Sequence, residues 1–278
     1  MRFSLLVLLF IFVGCDSSDT SDNSFSYDVP TPVEYNISIY KPTIDTSWQW
    51  QLSGVLNSSY DVDVYDIDLF DTPIETIESL HEENRRVICY FSAGTFEDWR
   101  EDRDYFPDEV LGNSLENWQG EMWLDIRSSQ VREIMKNRLD LAKSKGCDGV
   151  EPDNIDGYEN NTGFDLTAQD QLDYNIFIAD EAHKRGLSVG LKNDFAQAEI
   201  LEPFFDFSVS EECFKNGECN YLTPFIDANK SVFEAEYSEE YVTNSIEREK
   251  MCQESNSLKF QTLVLPMELD DTFRYSCK

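Results

Sequence analysis

The chain has 278 residues, 41% of them hydrophobic, enough to fill the core of one large domain. It carries 55 Asp and Glu against 22 Lys and Arg, a formal net charge of -33, and a field of that sign repels nucleic acid and anionic lipid. The charge favours cationic partners or simply keeps an exported protein soluble.

The N-terminus, MRFSLLVLLFIFVGCDSSD, joins one basic residue to an apolar run too short for a stop-transfer helix, the pattern of a signal peptide over residues 1–14. Gly14-Cys15 resembles a bacterial lipobox, with Phe12 where Leu is usual. Two readings follow: a lipid anchor on Cys15, or an ordinary signal peptide with full secretion. Either way the protein is expected to be exported, touching a membrane only through that anchor, and to be a monomer. Residues 15–45 are rich in Ser, Asp and Pro without a sustained helical period, which reads as a disordered tether. The domain is expected over residues 46–278.

From Trp48 the text changes. Short apolar, β-branched or aromatic runs begin at Trp48 (WQWQL), Asp63 (DVYDIDLF), Arg86 (RVICYFS), Cys147 (CDGVEPD), Leu187 (LSVGLKN), Phe205 (FDFSVSEE), Ser231 (SVFEAEY) and Lys259 (KFQTLVLPM). Between them IETIESLHEENR, SQVREIMKNRLDLAKSKG, AQDQLDYNIFIADEAHKRG and QAEILEPF carry apolar residues at helical spacing. Two of these end in glycine, Gly146 and Gly186, after basic residues, as helix C-termini prefer. Strands alternating with helices imply βαβ units and a parallel sheet. Eight strands in roughly 230 residues is the count of a single (β/α)8 TIM barrel, and the GxGxxG turn of a dinucleotide-binding sheet is missing. WLDIR, from Trp123, is an extra extended run expected in a long loop after the third strand.

In such a barrel the reaction site gathers at the C-terminal strand ends. Those ends are polar here: Asp66 and Asp68, Ser92, Glu151 and Asp153, Lys192 and Asn193, Glu211 and Glu212, Glu236. The two histidines, His81 and His183, sit at charged helix ends and read as surface residues, which leaves little for Ser-His-Asp or His-rich metal chemistry. No metal constellation or cofactor fingerprint is evident. Carboxylates are the natural reactants, and a pair of them working across a bond is the equipment of glycoside hydrolysis, which needs neither metal nor cofactor.

Side chains alternate along a strand, so Glu151 and Asp153 share a face, with Val150 opposite. Both acids are expected to face the barrel interior, Asp153 at the mouth. Asp156 lies past the strand and reads as a loop acid. Parity does not choose between Glu211 and Glu212. Trp48, Trp50, Tyr65, Tyr90, Trp99, Trp118, Trp123 and Tyr158 fall at strand ends or in the loop after the third strand. As a group they suit a carbohydrate groove, although each ring taken singly serves a core equally well.

Cys89, Cys147, Cys213, Cys219, Cys252 and Cys277 make an even set beyond Cys15, which fits disulfides in an exported chain. Cys213 and Cys219 bracket a short loop, and Cys252 and Cys277 are placed to fasten the C-terminal segment. Cys89 and Cys147 fit buried thiols equally well.

The series WQWQLSG, VDVYDIDLFDT, RRVICYFSAGTFEDWR, GEMWLDIR, GCDGVEPDNIDGY, VGLKN, SEECFKNGEC and VFEAEY resembles glycoside hydrolase family 114, the endo-α-1,4-polygalactosaminidase family, over residues 46–277. The resemblance implies a TIM barrel that cuts within polymers of α-1,4-linked galactosamine. It maps the acid of the Pro-Asp-Asn motif onto Asp153, with Asn154 beside it, and the acid before the Cys-Phe pair onto Glu211. Ser210 and Glu212 depart from the family's usual Asn and Gln there. By likeness to retaining α-glycosidase barrels, Asp153 is expected as nucleophile and Glu211 as general acid/base. Lys192 either holds Asp153 charged or forms a structural ion pair with Glu151 or Asp68. Deacetylated galactosamine polymers are cationic, so Asp68, Asp125, Glu151 and Glu236 are candidates to meet substrate amines, each alternatively maintaining the fold. Trp50 and Tyr90 are candidates to contact sugar faces. The rival is a tethered, non-catalytic protein that binds cationic polysaccharide.

Overall fold

Alternating apolar faces decide the architecture, because each strand run buries one face inward and the other against helices. The computed structural model describes residues 27–278, of which 31–278 form one compact unit. The expected signal peptide and Cys15 lie outside the described residues.

All eight strand runs form: β1 (Trp48–Gln51), β2 (Val64–Asp68), β3 (Arg86–Ser92), then, after an insertion holding β4 (Thr95–Glu97), β5 (Leu111–Ser114) and β6 (Glu121–Leu124), β7 (Gly149–Asp153), β8 (Ser188–Lys192), β9 (Phe207–Glu211), β10 (Val232–Glu236) and β11 (Gln261–Val264). The main sheet runs β1-β2-β3-β7-β8-β9-β10-β11, each strand parallel to the next, with the short β12 (Tyr275–Ser276) antiparallel on β11. The sheet is curled. Trp48, Trp50, Val64, Ile88, Phe207, Val209, Phe233 and Leu263, from strands at both ends of the order, share one inner apolar cluster. Trp48 stacks on Phe233 with ring centroids 4.8 Å apart, and its Nε1 donates to the Gln261 carbonyl at 2.7 Å, joining β1 to β11 side chain to backbone. The alternate residues, such as Tyr65, Val87, Cys89, Val150 and Val189, pack outward. The fold is α/β and TIM-barrel-like.

The helices are α1 (Ile74–Glu82), α2 (Ser129–Lys145), α3 (Ala168–Lys184), α4 (Ala198–Leu201), α5 (Cys213–Asn216), α6 (Thr223–Asp227), α7 (Glu239–Thr243) and α8 (Ser245–Leu258). Ser128 caps α2, which ends on Gly146 at φ 90, and Thr167 with Asp170 closes a capping box on α3. Several connections depart from a regular (β/α)8 pattern. Residues 52–63 link β1 to β2 without a helix, in a stretch rich in Ser, Asn, Asp and Gly. QAEILEPF yields only the single turn α4 before a 3-10 turn containing Pro203. Helix α8 has no counterpart in the helical runs above, because its buried face holds only Met251 and Ser255. The WLDIR run lies in the long loop after the third strand, but its first half is β6, the central strand of an antiparallel sheet ordered β4-β6-β5.

Part of the segment 15–45 expected as a tether is packed on the domain. Residues 31–45 have no helix or strand, yet they lie against the body: Tyr35 donates to Asp180, Lys41 pairs with Asp206 at 2.9 Å, and Gln261 Nε2 donates to the Ile44 carbonyl. Low apolar content hid this, because the segment is held by polar anchors. Disulfides join Cys213 to Cys219, Cys252 to Cys277 and Cys89 to Cys147. His81 and His183 are not free surface groups, since each ring meets a carboxylate, Asp148 or Asp206, at 2.8 Å.

Candidate active site

The C-terminal ends of β3, β7, β8 and β9 converge on a cavity of about 280 Å³. Strand alternation sends Glu151 and Asp153 inward from β7 while Val150 joins the outer core. On β9, Phe207 and Val209 belong to the inner cluster, so Glu211, two residues on, also points inward. That settles the choice parity alone left open. Glu212, at φ 54, turns away from the strand line, pairs with Lys215 at 2.6 Å and stands at the cavity rim.

Lys192 is the pivot. Its Nζ donates to Glu151 Oε1 at 3.0 Å and to Asp153 Oδ1 at 3.0 Å, lies 3.3 Å from Glu211 Oε2, and sits 4.8 Å from the Trp50 ring centroid. Burial alone pulls its ammonium down, but Asp153, Glu151 and Glu211 outweigh that and hold it well above its ordinary value. Both readings of Lys192 therefore meet in one side chain.

Asp153 also accepts from the Tyr90 hydroxyl at 2.8 Å, the Asn154 backbone N–H at 2.7 Å and the Asn154 amide at 3.3 Å. Asn154 takes the left-handed backbone at φ 59, which turns its N–H back onto the carboxylate. Glu211 accepts from the Tyr237 hydroxyl at 2.6 Å, and Asn193 grips it twice, taking the Glu211 backbone N–H at 3.0 Å and reaching Oε2 at 3.5 Å. Burial, then the carboxylates they serve, push both tyrosines well above the usual phenol range, so each stays a donor. Four of the expected residues, Trp50, Tyr90, Asn154 and Lys192, line the cavity with Asp153 and Glu211.

The four acids proposed to meet amines do not line it. Asp68 is clamped by Arg100 through two hydrogen bonds of 3.0 and 2.7 Å, which tie the insertion to β2. Asp125 pairs with Arg127 at 2.8 Å. Glu236 faces the outer side of β10, where it accepts the Phe214 and Lys215 backbone N–H groups at the start of α5. Glu151 lies fully buried beneath Lys192. Strand-end position selected them; side-chain direction and nearby arginines decided otherwise.

Other acids take their place. Asp156, read as a loop acid, lines the cavity, and burial followed by the charge of Asp153 raises it to about 7. Glu121, on β6, also lines it, accepts from Thr95 Oγ1 at 2.8 Å and is raised by burial to about 7. Tyr237 follows the last residue of β10, and the acid-Tyr ending of VFEAEY was the available signal. Glu121 and Trp118 arrive on the insertion, whose approach to the mouth no local pattern marks.

A curled parallel sheet that gathers two inward carboxylates around a lysine at its C-terminal mouth has the layout of a TIM-barrel-like enzyme. The chain belongs to glycoside-hydrolase family GH114, whose family model matches residues 30–278, and it is a glycoside hydrolase. Among solved structures it is similar to Aspergillus fumigatus Ega3 in complex with galactosamine, at 40% identity and TM-score 0.83 over 88% of this chain and 100% of that one. The glycoside hydrolase domain of PelA from Pseudomonas aeruginosa is 12% identical with TM-score 0.62, over 81% and 96% of the two chains, a likeness of fold alone. No curated protein matches the chain significantly.

Proposed function

We propose that the protein is an endo-acting hydrolase of α-1,4-linked, galactosamine-containing polysaccharide, with Asp153 as nucleophile and Glu211 as general acid/base. The observation that carries this reading is the placement of both carboxylates around Lys192 on the cavity floor. Asp153 Oδ1 and Glu211 Oε2 lie 3.0 and 3.3 Å from one nitrogen, hence at most about 6.3 Å apart, below the separation of about 6.5–9.5 Å of inverting pairs.

In the first step Asp153 attacks the anomeric carbon while Glu211 gives its proton to the departing glycosidic oxygen. In the second, Glu211 takes a proton from water, which displaces Asp153 from the glycosyl ester. Lys192, Tyr90 and Asn154 fix the orientation of Asp153, and Tyr237 and Asn193 fix that of Glu211. Glu121, Asp156 and Glu212 make the rim acidic, and such a rim draws a polymer bearing ammonium groups. The galactosamine in the Ega3 complex, at 40% identity, supports this substrate class.

The sheet is read as a complete (β/α)8 barrel whose β1–β11 seam closes through side chains. The hydrolase domain takes in residues 31–45 as well as 46–278. Residues 1–14 are read as a signal peptide, and the mature monomer as exported, anchored through Cys15 or released.

Incubation with partially deacetylated α-1,4-galactosaminogalactan, followed by mass spectrometry, tests the function. Oligosaccharides are expected from the wild type and none from folded Asp153→Asn or Glu211→Gln. Intact polymer that co-sediments with the wild type would favour the binding protein instead. NMR of the first product is expected to show a retained α anomer.

A further inference from the structure

Beneath the reacting carboxylates lies a second pair of acids that the chemistry above leaves unused. Asp66 shares its strand face with Val64, a member of the inner cluster, and is fully buried. Its register neighbours, Trp50 on β1 and Ile88 on β3, do not ionise. From β7 the side chain of Glu151, equally buried, meets it. Glu151 Oε1 accepts from Lys192, but Glu151 Oε2 and both Asp66 oxygens have no donor among the described residues. An ionised carboxylate can only accept, so two of them in contact leave orphaned oxygens and unscreened repulsion.

The charges around them sharpen the point. The ammonium of Lys192 already faces Glu151, Asp153 and Glu211. A further negative charge in the same dry interior, beside Glu151 and Asp153, faces no cation but Lys192. One proton removes the repulsion and all but one orphan: carried by Asp66, it turns that acid into a donor for Glu151 Oε2.

We propose that Asp66 is a positioning residue of this site, a neutral acid that donates its proton to Glu151 and so fixes where Lys192 stands between Asp153 and Glu211. The direction of its proton affinity agrees. Burial first, then Glu151, and to a lesser degree Asp153, push Asp66 well above the usual carboxylate range, against the pull of Lys192 from β8. When alkali removes the shared proton, the added charge draws Lys192 down toward β2 and away from the reacting pair. Asn at position 66 keeps a neutral donor at every pH and loses that titration.

The kinetic arm of the test rests on Asp153 and Glu211 being the reacting pair; the spectroscopic arm does not. Protein labelled with 13C at the Asp carboxyl carbons is followed by NMR from about pH 5 to 9. A carboxyl other than those of Asp156 and Asp194 is expected to keep its protonated shift at about pH 6, where an ordinary carboxylate has lost it, and to vanish in Asp66→Asn. Should that variant not fold, Asp156→Asn and Asp194→Asn assign the signal by elimination. Asp66→Asn, which keeps a neutral donor at every pH, is expected to show a kcat profile that falls less steeply on the alkaline side than that of the wild type. An Asp66 already ionised at about pH 6 overturns the proposal, and so do superimposable pH profiles of wild type and Asp66→Asn. Full activity in Asp153→Asn would sink the assignment of the reacting pair, and the NMR signal would still decide where the proton sits.

Discussion

Lys192→Met removes the ammonium from the floor of the site while keeping most of the side chain's volume. In the wild type that ammonium is 3.0 Å from Glu151, 3.0 Å from Asp153 and 3.3 Å from Glu211, and only 2% of the side chain is exposed. Breaking a buried ion pair from one side costs about 3–5 kcal/mol, because the partner charge is left uncompensated. Three carboxylates lean on this one, so a loss of about 4–5 kcal/mol is expected at neutral pH. In a domain of this size about 2–4 °C accompanies each kcal/mol, which places the variant's Tm about 8–20 °C lower.

The pH dependence has a definite sign. The folded proton affinity of Lys192 is raised above its ordinary 10.5, so its stabilisation is complete below that value and is lost only as pH climbs through the folded one. Below neutrality the variant recovers instead. Burial already raises Glu151 to about 7, Lys192 lowers it, and without Lys192 it takes up a proton sooner as pH falls. Scanning calorimetry of both proteins at about pH 7.5 and 4.5 should therefore show a gap that narrows in acid. A gap under about 1 kcal/mol at the higher pH, or an equal gap at both, would refute the account of Lys192 as the charge that holds the site together. Turnover should fall about 10²–10³-fold.

Tyr237→Phe deletes a 2.6 Å hydrogen bond to Glu211; a bond to a charged group is worth about 1.5–3 kcal/mol, so kcat should drop about 10- to 100-fold with the fold unchanged by circular dichroism. Asp194 is held up at about 8 by burial, then by Asp156 and Glu159, so the wild type loses stability as pH rises from about 4 toward 8. Asp194→Asn, which tolerates the φ of 44 there, should gain Tm relative to wild type at about pH 8 and little at about pH 4; an equal gain at both would contradict this. Opening the Cys89–Cys147 bridge, with its sequence separation of 58, should cost about 4 kcal/mol in urea unfolding, against about 2 kcal/mol for Cys213–Cys219 with a separation of 6. An equal loss for the two would mean that chain entropy is not what these bridges contribute.

Period-two alternation and turn chemistry made the eight main strands and the three long helices before α4 legible in the chain text, because those signals are local. The same alternation put Glu151 and Asp153 inward, and the Pro-Asp-Asn and Glu-Glu-Cys-Phe stretches carried the family resemblance. Helix α8 escaped because its apolar stripe is sparse, and residues 31–45 read as a tether because polar bonds, not apolar burial, fasten them. Only the curl of the sheet decided that Glu211 points inward to Lys192 while Glu212 stands at the rim, since that depends on which side of β9 becomes the inside. Only the tertiary structure gave Asp68 to Arg100 and Glu236 to the start of α5, and brought Glu121 from the insertion and Tyr237 from β10 to the site. Periodicity within a strand fixes which residues share a face, but which distant side chain meets that face follows from closing the sheet, and no local pattern encodes that.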